Sequence, residues 1–140
     1  MQHKLTRVAC IIKLTTHFMQ NHDKLKPMPV QIRENALLAR IAAKVLRSPH
    51  MAIVMKRTIH LHNTCMKDFM QNRRWVRHEL KHIEQFERYG TLRFVSKYLY
   101  YSMRHGYWNN PLEVEARAAE YDDSLLEKYQ CTEPEHAELS

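Results

Sequence analysis

The spacing of apolar residues divides the chain into segments that predict helices and short strands. From Gln31 to Arg47, apolar residues recur every three or four positions, which predicts an amphipathic helix ending before Ser48-Pro49. Residues 51–55 and 58–62 are short runs with a high strand propensity, separated by Lys56-Arg57. They predict two strands or one bent strand.

A long apolar stripe predicts the next helix, from Met66 to Tyr89, with an interruption near Asn72 and a stop at Gly90. Thr91 is a suitable N-cap for a further helix, from Leu92 to about Met103, which Gly106 would end.

The residues Asn110-Pro111-Leu112-Glu113 have the features of a helix start. Asparagine is a good N-cap, proline suits the first helical position and glutamate suits the third. We expect this last helix to run to about Tyr129.

These elements predict a single α+β domain that is mostly helical. The sequence Lys26-Pro27-Met28-Pro29 is typical of a break between segments. We therefore assign residues 1–30 to an N-terminal segment of unclear role and residues 31–129 to the domain. Residues 130–140 are acidic and are expected to form a frayed tail.

The composition excludes several classes of protein. The chain has two glycines, Gly90 and Gly106, so it lacks a phosphate-binding glycine loop and a dinucleotide-binding fingerprint. It contains no run of about 18 apolar residues, so no membrane span is expected. Its three cysteines, Cys10, Cys65 and Cys131, are odd in number and lack metal-site spacing. Reduced thiols of this kind fit a cytoplasmic protein.

The net charge of +7 is unevenly distributed, because residues 1–70 carry the basic excess and residues 71–140 are slightly acidic. A basic half is typical of proteins that bind nucleic acid or acidic partners. Here the lysines and arginines are dispersed and form no dense tract, which favours an ordinary solvated surface. Nucleic acid is therefore not the expected partner.

The most specific chemical signal is an H-E-x-x-H motif from His78 to His82 within the predicted helix. Residues four positions apart lie one turn apart on the same helix face, so both imidazoles can bind one Zn²⁺. The intervening Glu79 would lie at the rim of such a site. There it can act as general base on a water molecule and later protonate the leaving amine.

The residues after the motif narrow the type of metal site. A metzincin needs glycine and histidine where this chain has Gln85 and Arg88, so the third ligand should be a carboxylate from a later helix. The motif together with Gln85 and the segment from Asn110 to Ala116 resembles small bacterial gluzincin-type domains, whose minimal members are the minigluzincins. The resemblance covers roughly residues 31–129.

This resemblance implies a zincin-like fold in which a Glu-x-x-Ala pattern on the second helix supplies the third ligand, here Glu113 with Ala116. It also implies an edge strand, around residues 58–62, that pairs with an extended peptide substrate. A helical wheel from Leu112 to Leu126 instead places Glu115 near the middle of the apolar arc. Glu113 is the preferred ligand and Glu115 stays an alternative.

One position departs from the family pattern. Gluzincins usually have Asp or Asn four residues after the ligand, where it holds a histidine by its second ring nitrogen, but this chain has Arg117. Glu120 and Asp122 are candidates for that role. The donor that stabilises the oxyanion is also open; the candidates are His105, Tyr107 and Tyr121.

The sequence thus favours a zinc metallopeptidase in which His78, His82 and Glu113 bind Zn²⁺ and Glu79 is the catalytic base, acting on a peptide or protein substrate. A catalytically silent zinc-binding protein is the first alternative. A basic helical nucleic-acid-binding protein, with an accidental H-E-x-x-H, is the second. The sequence does not give the oligomeric state.

Overall fold

The computed structural model describes residues 26–133. Strand β1 (Met28–Arg33) leads to helix α1 (Leu37–Leu46), the strands β2 (Met51–Met55) and β3 (Thr58–His62), and helices α2 (Met66–Gln71) and α3 (Arg73–Tyr89). Then follow α4 (Thr91–His105), α5 (Pro111–Ala118), a 3₁₀ turn (Ala119–Tyr121), α6 (Ser124–Lys128) and β4 (Tyr129–Thr132). The predicted α+β class with mostly helical content is confirmed.

The four strands form one mixed sheet in the order β2-β3-β1-β4. β2 and β3 are an antiparallel hairpin, whereas β1 runs parallel to both β3 and β4. Alternate strand residues are buried on one face of the sheet: Val30, Ile32, Ile59 and Leu61. They form the core together with α3, which contributes Val76, Leu80 and Ile83.

The helix predicted over residues 31–47 is wrong in its first part. Residues 31–33 belong to β1, and α1 begins only at Leu37, after a bend at Asn35 with a φ of 52°. Val30 and Ile32 alternate with exposed residues, which is a strand pattern. The partners that stabilise this strand are remote in the sequence, so local spacing did not identify it.

The sheet also extends past the expected limits of the domain. β1 starts at Met28, within the segment assigned to 1–30, and β4 lies mostly in the expected tail. Register pairs such as Met28 with Tyr129 and Gln31 with Thr132 tie the two ends together. The role of residues 1–25, the cysteine Cys10 and the tail from residue 134 lie outside the described residues.

The two strands predicted at 51–55 and 58–62 are confirmed with those bounds. The helix predicted from Met66 to Tyr89 is also confirmed, with its break at Asn72. Asn72 accepts a hydrogen bond from the Trp75 N–H and so caps α3 (3.1 Å).

The helix boundaries after residue 90 differ in detail from the prediction. Gly90, not Thr91, is the N-cap of α4, and no side chain caps it. The helix from Pro111 stops at Ala118 and does not reach Tyr129. Asp122 accepts hydrogen bonds from the backbone and hydroxyl of Ser124 (3.0 and 2.6 Å), which favours a turn over a continued helix. No helix within residues 26–133 is long and apolar enough to cross a membrane.

Candidate metal centre

Helix α3 presents two histidines to the same side. His78 and His82 lie one turn apart, with ring centroids 4.9 Å apart and an edge-to-face orientation. His82 is buried, and the side chain of His78 is 13% exposed. Both rings are therefore largely shielded from solvent and lie close to one another, as the motif spacing predicts.

Helix α5 brings Glu113 to these histidines. Its first turn is fixed by the buried Asn110, whose Oδ1 accepts a hydrogen bond from the Leu112 N–H (3.0 Å). The Asn110 amide also donates to the Tyr98 carbonyl and to Ser102 Oγ (3.1 and 2.9 Å). The start of α5 is therefore joined to α4, and this connection sets the position of Glu113.

The three predicted ligands form a compact group. His78 Nε2 lies 3.3 Å from Glu113 Oε2, and His82 Nε2 lies 3.4 Å from Glu113 Oε1. All three ligand atoms lie within 4.8 Å of one another. Ligands about 2.0–2.1 Å from a tetrahedral zinc ion are roughly 3.3 Å apart, so the group has dimensions that fit such an ion.

The second nitrogen of each imidazole already has an acceptor. His82 Nδ1 is 2.9 Å from Gln85 Oε1, and His78 Nδ1 is 3.4 Å from Glu120 Oε1. The Gln85 amide nitrogen donates to the Leu112 carbonyl (3.0 Å), which fixes Oε1 as the atom facing His82. An acceptor at Nδ1 favours the tautomer whose Nε2 carries a free lone pair.

The two oxygens of Glu113 have different surroundings. Oε1 accepts a 2.6 Å hydrogen bond from the Tyr98 hydroxyl, whereas the buried Oε2 has no hydrogen-bond partner among the described residues. Burial alone would raise the pKa of Glu113, but the adjacent imidazoles of His78 and His82 hold it well below its usual range. Glu113 is thus a carboxylate with one oxygen available to a cation.

Glu79 lies beside the group on the cleft side. It is buried, and its Oε1 accepts a hydrogen bond from Trp75 Nε1 (3.0 Å). Burial raises the pKa of its carboxyl group, although the neighbouring histidines oppose this shift. Glu79 and His78 line an open cleft of about 610 Å³. The other lining residues come from the segment leading into β2 and the start of that strand, from Asn72 and α3, from the loop after α4 and from the 3₁₀ turn: Ser48, His50, Met51, Ala52, Asn72, Arg74, Trp75, Tyr107 and Glu120.

The alternative ligand, Glu115, lies elsewhere. Its carboxylate is held by Gln85, Lys81 and Arg88, at 3.0, 3.2 and 3.0 Å. The helical wheel pointed to Glu115 because it treated residues 112–126 as one helix. The helix α5 in fact ends at Ala118, and its buried residues are Leu112, Glu113 and Ala116.

The candidates for orienting a histidine through its second ring nitrogen differ in what they contact. The Arg117 guanidinium stacks on the Trp108 ring, 4.4 Å from its centroid, and Asp122 accepts hydrogen bonds from Ser124. Glu120 lies against His78, and Arg74 donates two hydrogen bonds to its carboxylate (3.0 and 2.6 Å). Of the two candidates from the sequence, Glu120 is therefore the one in contact.

Of the three candidates for an oxyanion donor, Tyr107 lines the cleft. His105 packs against Tyr101, and Tyr121 lies under the Arg74 guanidinium. The structure adds Tyr98 and Trp75, which sequence reasoning did not connect with the site. No sequence signal marks Tyr98, since its link to Glu113 depends on how α4 packs.

The strand expected to pair with substrate is not an edge strand. β3 (Thr58–His62) lies between β2 and β1, so both of its sides are already paired. The strand at that end of the sheet is β2, and its residues Met51 and Ala52 line the cleft with His78. The prediction that residues 58–62 form an edge strand was therefore wrong.

Comparison of the whole chain with protein-family profiles, curated proteins and solved structures finds no match.

Proposed function

We propose that the chain binds one zinc ion through His78, His82 and Glu113 and acts as a zinc-dependent metallopeptidase with a zincin-like fold. The observation that carries the metal site is the buried Glu113 Oε2, which has no hydrogen-bond partner among the described residues and lies 3.3 Å from the Nε2 atom of His78. An unpartnered buried carboxylate oxygen is costly unless a cation satisfies it.

The donor set favours zinc over other common ions. Two imidazole nitrogens and one carboxylate oxygen are typical of catalytic zinc sites, whereas magnesium and calcium prefer oxygen ligands. The open cleft beside His78 leaves room for a fourth, exchangeable ligand. A zinc ion bound here supplies an electrophile that polarises a substrate carbonyl and acidifies water.

The remaining roles belong to the protein's own side chains. Glu79 Oε1 is held by Trp75, so Oε2 is the atom that takes a proton from the attacking water and later passes it to the departing amine. Tyr107 lines the same cleft, and its hydroxyl is the proposed donor to the developing oxyanion.

Strand β2 is the proposed docking site for an extended peptide. It closes with β3 through the two-residue turn Lys56-Arg57, which makes Met55 and Thr58 a hydrogen-bonded pair. Antiparallel alternation then directs the backbone groups of Ala52 and Val54 away from β3. A peptide paired with Ala52 would lie along the cleft beside Glu79.

The metal site is tested by zinc analysis of protein purified without added metal. We expect about one zinc ion per chain in the wild type and its loss in His82→Gln and Glu113→Gln. Glu115→Gln is the matched control, because Glu115 lies on the same helix but does not face the histidines, and it should keep its zinc. Circular dichroism checks that each variant folds. A wild type that takes up no zinc even when zinc is supplied contradicts the proposal.

The peptidase activity needs a separate measurement. Zinc-loaded wild type is incubated with a mixed peptide library, and the products are read by mass spectrometry. We expect cleavage that a chelator abolishes and that Glu79→Gln loses while keeping its zinc. Zinc binding without any turnover would identify a catalytically silent zinc protein instead. Salt-dependent nucleic-acid binding that no chelator affects would indicate the nucleic-acid-binding alternative.

The cytoplasm is the proposed setting. Cys65 and Cys131 are free thiols in the described chain, which fits a reducing compartment.

A further inference from the structure

Helix α4 carries apolar side chains on its outer face. Leu92 and Met103 are 84% and 88% exposed, and Leu99 is 57% exposed. Together with Val95 they recur every three to four residues and so form one continuous line, the α4 stripe. Large apolar side chains grouped in this way mark an interaction surface more often than single exposed ones do.

The stripe is distinct from the face by which α4 belongs to the core. Phe94 is buried against Phe86, with ring centroids 4.0 Å apart, and Tyr98 reaches Glu113. These two residues lie on the opposite side of the helix from Leu92 and Met103. Packing within the part of the chain that the structure describes therefore gives no reason for the outer leucines and methionine.

The charges next to the stripe have a single sign. α4 contains Arg93, Lys97 and Arg104 and no acidic residue. None of the three forms an ion pair with another described residue. The charges of Arg93 and Arg104 are thus available to a negatively charged partner, whereas the Lys97 ammonium lies over the rings of Tyr89 and Tyr101.

Aromatic residues lie at the margin of the same surface. Tyr100 is exposed on α4, and Trp108 is exposed in the loop that follows it, under the Arg117 guanidinium. Tryptophan and tyrosine beside basic residues and an aliphatic stripe are the composition of helices that lie in the membrane interface.

A second copy of the chain fits this surface poorly. In an antiparallel pair of α4 helices Arg93 would approach Arg104 of the other copy, and in a parallel pair α4 has no acidic residue that could face either arginine. Like charges this close are unfavourable, and the net charge of +7 adds to the repulsion. Nucleic acid would satisfy the arginines but would leave Leu92, Leu99 and Met103 without partners.

We infer that the α4 stripe and its basic residues bind the surface of a membrane containing anionic lipids. Leu92, Leu99 and Met103 would enter the boundary between headgroups and acyl chains, while Arg93 and Arg104 contact the headgroups. This surface is separate from the zinc ligands and does not depend on the proposed peptidase activity.

The test is co-sedimentation of the full chain with vesicles of phosphatidylcholine, with and without phosphatidylserine. We expect binding to the anionic vesicles that is at least about ten-fold tighter than to neutral ones and that weakens with salt. The triple variant Leu92→Ser/Leu99→Ser/Met103→Ser should lose about ten-fold or more. Arg93→Gln/Arg104→Gln should lose about 25-fold, at about five-fold for each charge.

Matched controls come from another helix. Leu37→Ser/Ile41→Ser removes two exposed apolar side chains of α1, and Arg40→Gln removes an exposed charge there, so both should bind vesicles like the wild type. Thermal unfolding monitors the fold of every variant.

Several results would overturn the inference. These are equal binding to neutral and anionic vesicles, no binding to either, or equal losses in the α1 and α4 variants. A dimer in sedimentation analysis that the triple variant abolishes would assign the stripe to a second copy. Tighter binding to a single-stranded oligonucleotide than to vesicles, lost in Arg93→Gln/Arg104→Gln, would assign the surface to nucleic acid.

Discussion

The Tyr98 hydroxyl donates a 2.6 Å hydrogen bond to Glu113 Oε1, which leaves Oε2 as the carboxylate oxygen without a hydrogen-bond partner within residues 26–133. One contact between α4 and α5 thus decides which oxygen of the proposed ligand faces His78. Burial and the neighbouring Glu113 carboxylate both raise the pKa of Tyr98, so the hydroxyl stays protonated and remains a donor.

Replacing Tyr98 by phenylalanine removes this donor and keeps the ring. We expect the affinity for zinc to fall by about ten-fold or more, because groups that orient metal ligands typically contribute that much. Competition with a chromogenic chelator measures the affinity. Tyr101→Phe, on the same helix and half-buried, is the control and should change little. Equal affinity of Tyr98→Phe and wild type would contradict this role.

Local spacing was sufficient for some elements and insufficient for others. The hairpin strands and α3 are continuous patterns in sequence, so their periodicity could be read directly. β1 and β4 are stabilised by parallel pairing across about a hundred residues, and no local pattern reports such a partner. The end of α5 depends on the turn at Asp122, and this end decides which glutamate is buried.

The candidate site likewise has residues that local spacing predicts and residues that it does not. The two histidines and Glu79 belong to one short motif on one helix, with the histidines four residues apart, so they could be identified from the sequence. Their supporting groups come from other parts of the chain, as with Glu120 for His78. Such supporting contacts depend on how helices pack, which one sequence does not reveal.

Asn110 is expected to be important for stability as well as for the site. Asn110→Ala removes the cap of α5 and leaves the Tyr98 carbonyl without its buried donor, so we expect a loss of about 2–3 kcal/mol in the free energy of unfolding. Urea denaturation measures the loss. Asn109→Ala, at the exposed neighbouring position, should change stability by less than about 0.5 kcal/mol. If Asn110→Ala loses no more unfolding free energy than Asn109→Ala, the cap is unimportant.

Burial raises the pKa of the Cys131 thiol to about 11, whereas Cys65 is exposed. The thiolate is the reactive form, so in Cys10→Ser/Cys65→Ser protein Cys131 should be alkylated at pH 8 about 100-fold more slowly than an ordinary thiol. Its rate should rise about ten-fold per pH unit between pH 8 and 10. Iodoacetamide labelling followed by mass spectrometry gives the rates, with Cys10→Ser/Cys131→Ser as the control. A rate that levels off below pH 9 would contradict the raised pKa.

The contact between His78 Nδ1 and Glu120 Oε1 predicts different effects for two residues of the same segment. Glu120→Ala removes the acceptor that orients His78, so zinc affinity should fall by about 10- to 100-fold. Arg117 stands at the position where gluzincins carry the orienting residue, yet it stacks on Trp108. The zinc affinity of Arg117→Ala should therefore stay within about two-fold of wild type. Glu120→Gln keeps an acceptor oxygen and should recover most of the loss. If Arg117→Ala weakens zinc binding as much as Glu120→Ala, or if Glu120→Gln does not rescue, the orienting role of Glu120 is wrong.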